Sequence, residues 1–216
     1  MRRKIVGVII FCCFIMAFID GILQPPYSIK SIIKLLLFGS IPFIFFSFSK
    51  SSIRSYYQLR KKSVVVALIL GFSLYFLIVI GYFVVKPYID FSNITTTLEQ
   101  TMRVNNNNFI YVALYISFIN SFLEEFFFRG FAFFYFKQYT SRTVAYLFSA
   151  LSFSLYHTAM MIGWFSPFIF SLSLLALLAA GLLFNWLDEK YASIYPSWLV
   201  HLFANLGINT IGLLLF

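Results

Sequence analysis

The stretch Phe109–Phe136, FIYVALYISFINSFLEEFFFRGFAFFYF, decides how the rest of the chain is read. At about 1.5 Å per helical residue it is long enough to cross a hydrocarbon layer about 30 Å thick. Yet it carries Glu124, Glu125 and Arg129. An ionisable side chain at mid-membrane costs about 2.5 to 3.5 kcal/mol on insertion scales, so each of these needs a partner or a purpose. Glu125 and Arg129 stand i and i+4 on one helix face, where they can pair, while Glu124 points about 100° away. Ser117, Asn120 and Ser121 continue a polar stripe toward Glu124, which turns this face into a bundle rather than toward lipid.

The whole chain agrees with that reading. Its 216 residues are 61% apolar, 22% aromatic and only 11% charged, with a mean hydropathy of +0.89. Soluble domains carry about 25% charged residues, so a soluble enzyme, a nucleic-acid module and a disordered tail are all excluded. Charges and prolines separate seven apolar runs: Ile5–Leu23, Ile32–Phe48, Val64–Val85, Phe109–Phe136, Thr143–Met161, Trp164–Leu187 and Ile194–Phe216. The expected fold is all-α, a polytopic membrane helix bundle of about seven transmembrane helices. Residues 1–216 form a single transmembrane domain, with a motif-bearing core at about 109–216.

The net charge of +9 comes from 16 basic against 7 acidic residues, and it clusters between the apolar runs. That distribution reads as topology, with the lipid bilayer as partner and no nucleic acid. One side collects Arg2, Arg3, Lys4, Lys50, Arg54, Arg60, Lys61, Lys62, Lys137, Arg142 and Lys190; the other collects Lys30, Lys34, Lys86 and Arg103. The excess places the amino terminus in the cytoplasm and, after seven spans, the carboxyl terminus outside. No small-x-small cleavage site follows the first run, so it is read as an uncleaved span. An integral, multi-pass protein of a bacterial cell membrane is the expected location. Cys12 and Cys13, inside the first run, read as small hydrophobes.

The chain has two histidines, and both fall inside apolar runs. His157 has Phe153 one turn earlier on the same face; His201 has Asn205 at i+4 and Ser197 at i−4. A lone histidine or asparagine in a transmembrane helix commonly serves as interhelical hydrogen-bond glue. An acid, two imidazoles and an amide on three inward faces suit amide hydrolysis instead: a carboxylate and imidazole deprotonate water, and donors hold the oxyanion. Burial of the carboxylate is expected to make it the better base. Counting from the run ends sets Glu124, His157 and His201 at about 18, 22 and 12 Å, three different depths.

The ordered set Glu-Glu-x-x-x-Arg (Glu124, Glu125, Arg129), Phe-x-x-x-His (Phe153, His157) and His-x-x-x-Asn (His201, Asn205) resembles the CPBP family of intramembrane endopeptidases. That family contains the type II CAAX prenyl proteases and bacteriocin-processing or self-immunity proteins. The resemblance covers Ser117 to Gly207 and includes the context YPSWLVHLFANLG. It implies a peptide or protein substrate, with Glu124 as general base, His157 positioning the water, and His201 and Asn205 stabilising the oxyanion. Glu125 and Arg129 become a supporting ion pair. It implies no cofactor, with zinc held by Glu124, His157 and His201 as the alternative. A buried clamp, an ion path, or a non-catalytic immunity factor or scaffold are the other readings of the same residues.

Overall fold

The structure, a computed structural model, describes residues 1–47, 56–100 and 103–215. Phe48, Lys50, Arg54 and Phe216, used in the span and charge readings, lie outside the described residues. The described helices are α1 (Arg2–Leu23), α2 (Tyr27–Ser47), α3 (Lys61–Val85), α4 (Ser92–Gln100), α5 (Phe109–Tyr135), α6 (Arg142–Tyr156), α7 (Thr158–Met161), α8 (Pro167–Tyr191) and α9 (Tyr195–Leu215). Six of them, α1, α2, α3, α5, α8 and α9, are long and apolar enough to cross a membrane.

Side-chain pairings fix their directions. α2 and α5 run parallel, because Lys34 meets Glu124, Phe38 stacks on Phe127 at 4.1 Å and Phe46 meets Tyr135 at 5.6 Å. α5 and α9 run antiparallel, with Trp198 Nε1 on the Phe118 carbonyl, Asn205 Nδ2 on that of Ile116 and Asn209 Nδ2 on that of Ala113. α3 and α9 are parallel: Gly71 lies against Phe203, and Tyr75 Oη is 3.2 Å from Thr210 Oγ1. α6 and α8 are antiparallel, from Arg142 on Glu189 to Ser154 on the Leu174 carbonyl. Among the described residues seven helices thus alternate in direction, with six of them, rather than the expected seven, long and apolar enough to cross a membrane.

The fifth passage corrects its expected form. Instead of one helix over Thr143–Met161, α6 has 15 residues, about 22 Å, and breaks at His157 before α7. The cause is local. His157 Nδ1 takes the Phe153 carbonyl at 2.7 Å, the acceptor that a continuing helix reserves for the His157 backbone, and the His157 N–H moves to the Ser154 carbonyl at 3.2 Å. α7 then packs beside the far end of α1, where a Cβ on Gly21 would lie 3.8 Å from Ala159 Cβ.

Lys30 and Lys34 are a second correction. They belong to no loop: α2 begins at Tyr27 and carries both on its inner face, buried. Lys30 pairs with Asp20 of α1 at 2.7 Å. At the N-terminal face Glu189 gathers Lys137 at 2.9 Å, Arg142 at 2.7 Å and the Tyr146 hydroxyl at 2.6 Å, which ties the α5–α6 connection to the end of α8. The core is aromatic and centred on α5, buried throughout Phe127–Phe136. Large apolar side chains such as Phe14, Leu77 and Phe168 stand exposed on the perimeter, the surface a bilayer would cover. Cys12 is buried and Cys13 half-buried, and neither forms a disulfide.

α6 and α8 approach through Gly181, where an added Cβ would sit 3.0 Å from Ala150 Cα. Gly181→Val is expected to force the pair apart at a cost of about 1–3 kcal/mol. Thermal unfolding in detergent should show the loss, with Gly7→Val as control, since a Cβ at Gly7 has nothing within 4 Å.

Candidate active site

Glu124 sits near the middle of α5, between two stretches where the helix widens to i→i+5 turns, Tyr115–Asn120 and Phe126–Tyr135. Such turns are rare and recur at functional sites. Carbonyls of the first stretch and its approach accept amide or indole protons from α9, through Trp198, Asn205 and Asn209. The neighbouring helix thereby holds the face of α5 that leads to Glu124.

The two carboxylate oxygens of Glu124 have different surroundings. Oε1 accepts from Asn120 Nδ2 at 3.0 Å and from the Lys34 ammonium, which also donates to Asn120 Oδ1 at 2.6 Å. Oε2 faces His157 Nε2 at 3.7 Å and His201 Nε2 at 3.6 Å, with no direct hydrogen bond. Glu124, His157 and His201 therefore meet, and the three unequal depths are corrected. The α8–α9 turn is recessed beneath residues 56–58: the Ile194 N–H donates to the Tyr56 carbonyl at 3.0 Å and Ser193 Oγ to that of Gln58 at 2.8 Å. Counting from the start of α9 understates how deep His201 lies.

Both imidazoles are oriented from behind. The Phe153 carbonyl can only accept, so His157 Nδ1 carries the proton it donates there. The Glu125 carboxylate likewise takes the Nδ1 proton of His201 at 2.8 Å. In the neutral rings each Nε2 then presents a lone pair. Three acceptor atoms converge with no proton to share among them, an arrangement that calls for a donor such as water, whose two protons can satisfy two of the three.

Behind this layer Glu125 Oε2 pairs with Arg129 Nε at 3.1 Å, both residues fully buried, as their spacing predicts. The Arg129 guanidinium lies over the ring of Phe153 at 4.2 Å and that of Phe184 at 4.9 Å. The Phe153 ring also meets His201 edge-on, with centroids 5.8 Å apart. Ser117 and Ser121 are buried as the polar stripe requires. Asn205 lies one turn beyond His201, its amide donating to the Ile116 carbonyl at 3.3 Å, an interhelical bond.

Sequence reasoning missed Lys34 as a member of the cluster. The signal was present: Lys30 and Lys34 stand i and i+4 across the start of the run Ile32–Phe48, the spacing of two residues on one helix face. The expectation that burial makes Glu124 the better base left out a counter-charge, since an ammonium touches its carboxylate. Glu124, His157 and His201 are the side chains nearest to a metal-ligand set. Among the described residues, however, no three His, Cys, Asp or Glu side chains are arranged to hold a metal ion.

Residues 106–207 match the family model described as type II CAAX prenyl endopeptidase, Rce1-like. This stretch, a little under half of the chain, is similar to an Rce1-like domain. Its match supports an intramembrane-protease kind of function and agrees with the CPBP resemblance. No curated protein and no solved structure matches the chain. Glu124, Glu125, Arg129, His157, His201 and Asn205 all lie inside the Rce1-like domain, whereas Lys34 precedes it by 72 residues (106 − 34).

Arg129→Ala would strand the Glu125 carboxylate in the bundle and empty the slot between Phe153 and Phe184. A loss of about 3–5 kcal/mol is expected, read as reduced accumulation in membranes and a lower melting temperature. Arg129→Ala/Glu125→Gln should recover part of it, because the orphaned charge is removed.

Proposed function

We propose that the protein is a glutamate-type intramembrane endopeptidase that hydrolyses a peptide bond of a membrane-associated peptide or protein. The observation that carries this reading is the convergence of Glu124 Oε2 with the Nε2 atoms of His157 and His201. A water molecule bridging Glu124 Oε2 and His157 Nε2 gives one proton to the carboxylate as its oxygen attacks the substrate carbonyl. The tetrahedral oxyanion takes hydrogen bonds from the Asn205 amide, which has a second N–H besides the one on Ile116, and from His201 Nε2 when that atom carries a proton taken from solvent before the attack and kept through the cycle. Glu124 then returns its proton to the leaving nitrogen and the C–N bond breaks, so that one water is consumed per bond and the protein is regenerated.

The mechanism uses no metal. Lys34 supports this, because an ammonium already occupies one oxygen of Glu124 and would repel a dication on the other. The amino terminus is assigned to the cytoplasm of a bacterial cell. With Lys30 and Lys34 counted inside the bundle, the described basic residues at the N-terminal face are Arg2, Arg3, Lys4, Arg60, Lys61, Lys62, Lys137, Arg142 and Lys190, against Lys86 and Arg103 at the other.

A non-catalytic role, as an immunity factor or scaffold, is favoured by one observation: Glu124 also clamps α2 to α5 through Lys34. Glu124→Gln separates the two, since an amide keeps hydrogen bonds to Lys34 and Asn120 but cannot act as base. Peptides released from membranes carrying the wild-type chain should disappear with Glu124→Gln, a rate loss of about 10²–10⁴, while the variant, whose Lys34 loses its counter-charge but keeps its hydrogen bonds, still accumulates in membranes. Undiminished release would end the protease reading. Cysteine labelling of intact cells should reach Arg103→Cys and not Lys4→Cys; the reverse would invert the orientation.

A further inference from the structure

Resting on the protease reading, we propose that Lys34 is a positioning residue of the active site, contributed from α2, outside the Rce1-like domain: it holds Glu124 Oε1 so that Oε2 is aimed at the two imidazoles. Lys34 is buried, and its ammonium joins Glu124 Oε1 and Asn120 Oδ1 while Asn120 Nδ2 closes the ring onto the same Oε1. Each bond polarises the next, so the three act as one unit. The ammonium also lies over the Tyr156 ring at 5.0 Å and the Phe38 ring at 5.6 Å, which limits where it can move. Tyr156 is the residue before His157, so the lysine touches the element that carries one imidazole as well as the one that carries the carboxylate.

The pairing is selective. Lys30, one turn earlier on α2, is engaged by Asp20 at 2.7 Å, which leaves Lys34 as the cation on Glu124. A carboxylate can rotate about its last bond and exchange its oxygens. With Oε1 held by an ammonium and an amide, that rotation would break two hydrogen bonds, and one oxygen stays directed at the water-binding point. Lys34 also supplies the charge that keeps the carboxylate compensated in a bundle surrounded by lipid. It touches neither the proposed water nor the substrate, so its effect should fall on turnover rather than on substrate binding.

The experiment compares Lys34→Ala, Lys34→Gln and Lys34→Arg with the wild-type chain in liposomes, using as substrate a peptide released by membranes that carry the wild-type chain. Lys34→Ala should lower kcat about 100-fold with KM within threefold, because a reactive group displaced by about 1 Å loses that much. Added ethylamine should restore turnover saturably, and ethanol should not. Lys34→Gln keeps a donor without the charge and Lys34→Arg keeps the charge, so Arg should retain at least tenfold more turnover than Gln. That comparison decides the matter if the alanine variant does not fold.

Unchanged kcat in Lys34→Ala, rescue by ethanol as well as ethylamine, equal turnover of the Gln and Arg variants, or an effect confined to KM would each overturn the assignment. Glu124→Gln in the same assay separates the two levels. Activity in that variant defeats the protease reading itself, whereas its inactivity beside unaffected Lys34 variants defeats only the role of Lys34.

Discussion

Charges inside a lipid-embedded bundle have to meet partners, and that constraint organises this protein. Insertion costs of about 2.5 to 3.5 kcal/mol per charge compare with an attraction of about 5 kcal/mol for unit charges about 3 Å apart at an effective dielectric of about 20. A pair roughly breaks even, and a single charge does not. Accordingly Asp20 takes Lys30, Glu124 takes Lys34 and Glu125 takes Arg129. Asp188 is answered by hydrogen bonds, its carboxyl group accepting from the Ser197 N–H at 3.0 Å and hydroxyl at 2.6 Å in the first turn of α9.

These pairs also set the helix arrangement. Glu124–Lys34 joins α5 to α2, Asp20–Lys30 joins α1 to α2, and Asp188–Ser197 fixes the turn between α8 and α9. Amides and hydroxyls then join the faces that carry no charge: Asn185 Nδ2 reaches the Tyr146 carbonyl, and Ser149 Oγ reaches that of Phe128. In a solvent without hydrogen bonds each such contact answers a polar group that water would otherwise satisfy. The lipid-facing perimeter needs no comparable precision, which is why the polar residues concentrate around α5.

Much of this was legible in the chain. Length and hydropathy identified six of the seven expected spans, because a bilayer demands long apolar runs, and the Glu125–Arg129 pair followed from an i,i+4 spacing. The break after α6 was not legible: it arises when a side-chain nitrogen displaces a backbone bond at His157, a competition that leaves no periodic trace. Nor was the partner of Glu124. Run-marking treats a lysine at the edge of an apolar stretch as a loop charge, yet Lys34 and Glu124 are 90 residues apart and only the fold brings them together. The meeting of His201 with Glu124 depends on the recessed α8–α9 turn, another tertiary feature. For Asn205, sequence pattern fits both glue and oxyanion donor, and the bond to Ile116 shows the first use.

The cluster divides its labour between the two oxygens of one side chain. Oε1 is saturated by Asn120 and Lys34 and fastens α2 to α5; Oε2 has no direct bond and turns toward two nitrogens whose other faces are held by Phe153 and Glu125. Were both oxygens committed, the carboxylate would be a clamp and nothing more. Were neither held, a lone charge would remain inside the bundle, where hydrocarbon surroundings resist it. Because one oxygen meets the demand for pairing, the other is left available for a mobile donor, and structural and chemical requirements fall on different atoms. On the protease reading, the stability of the bundle and the readiness of its base therefore come from the same residue without competing for the same lone pairs.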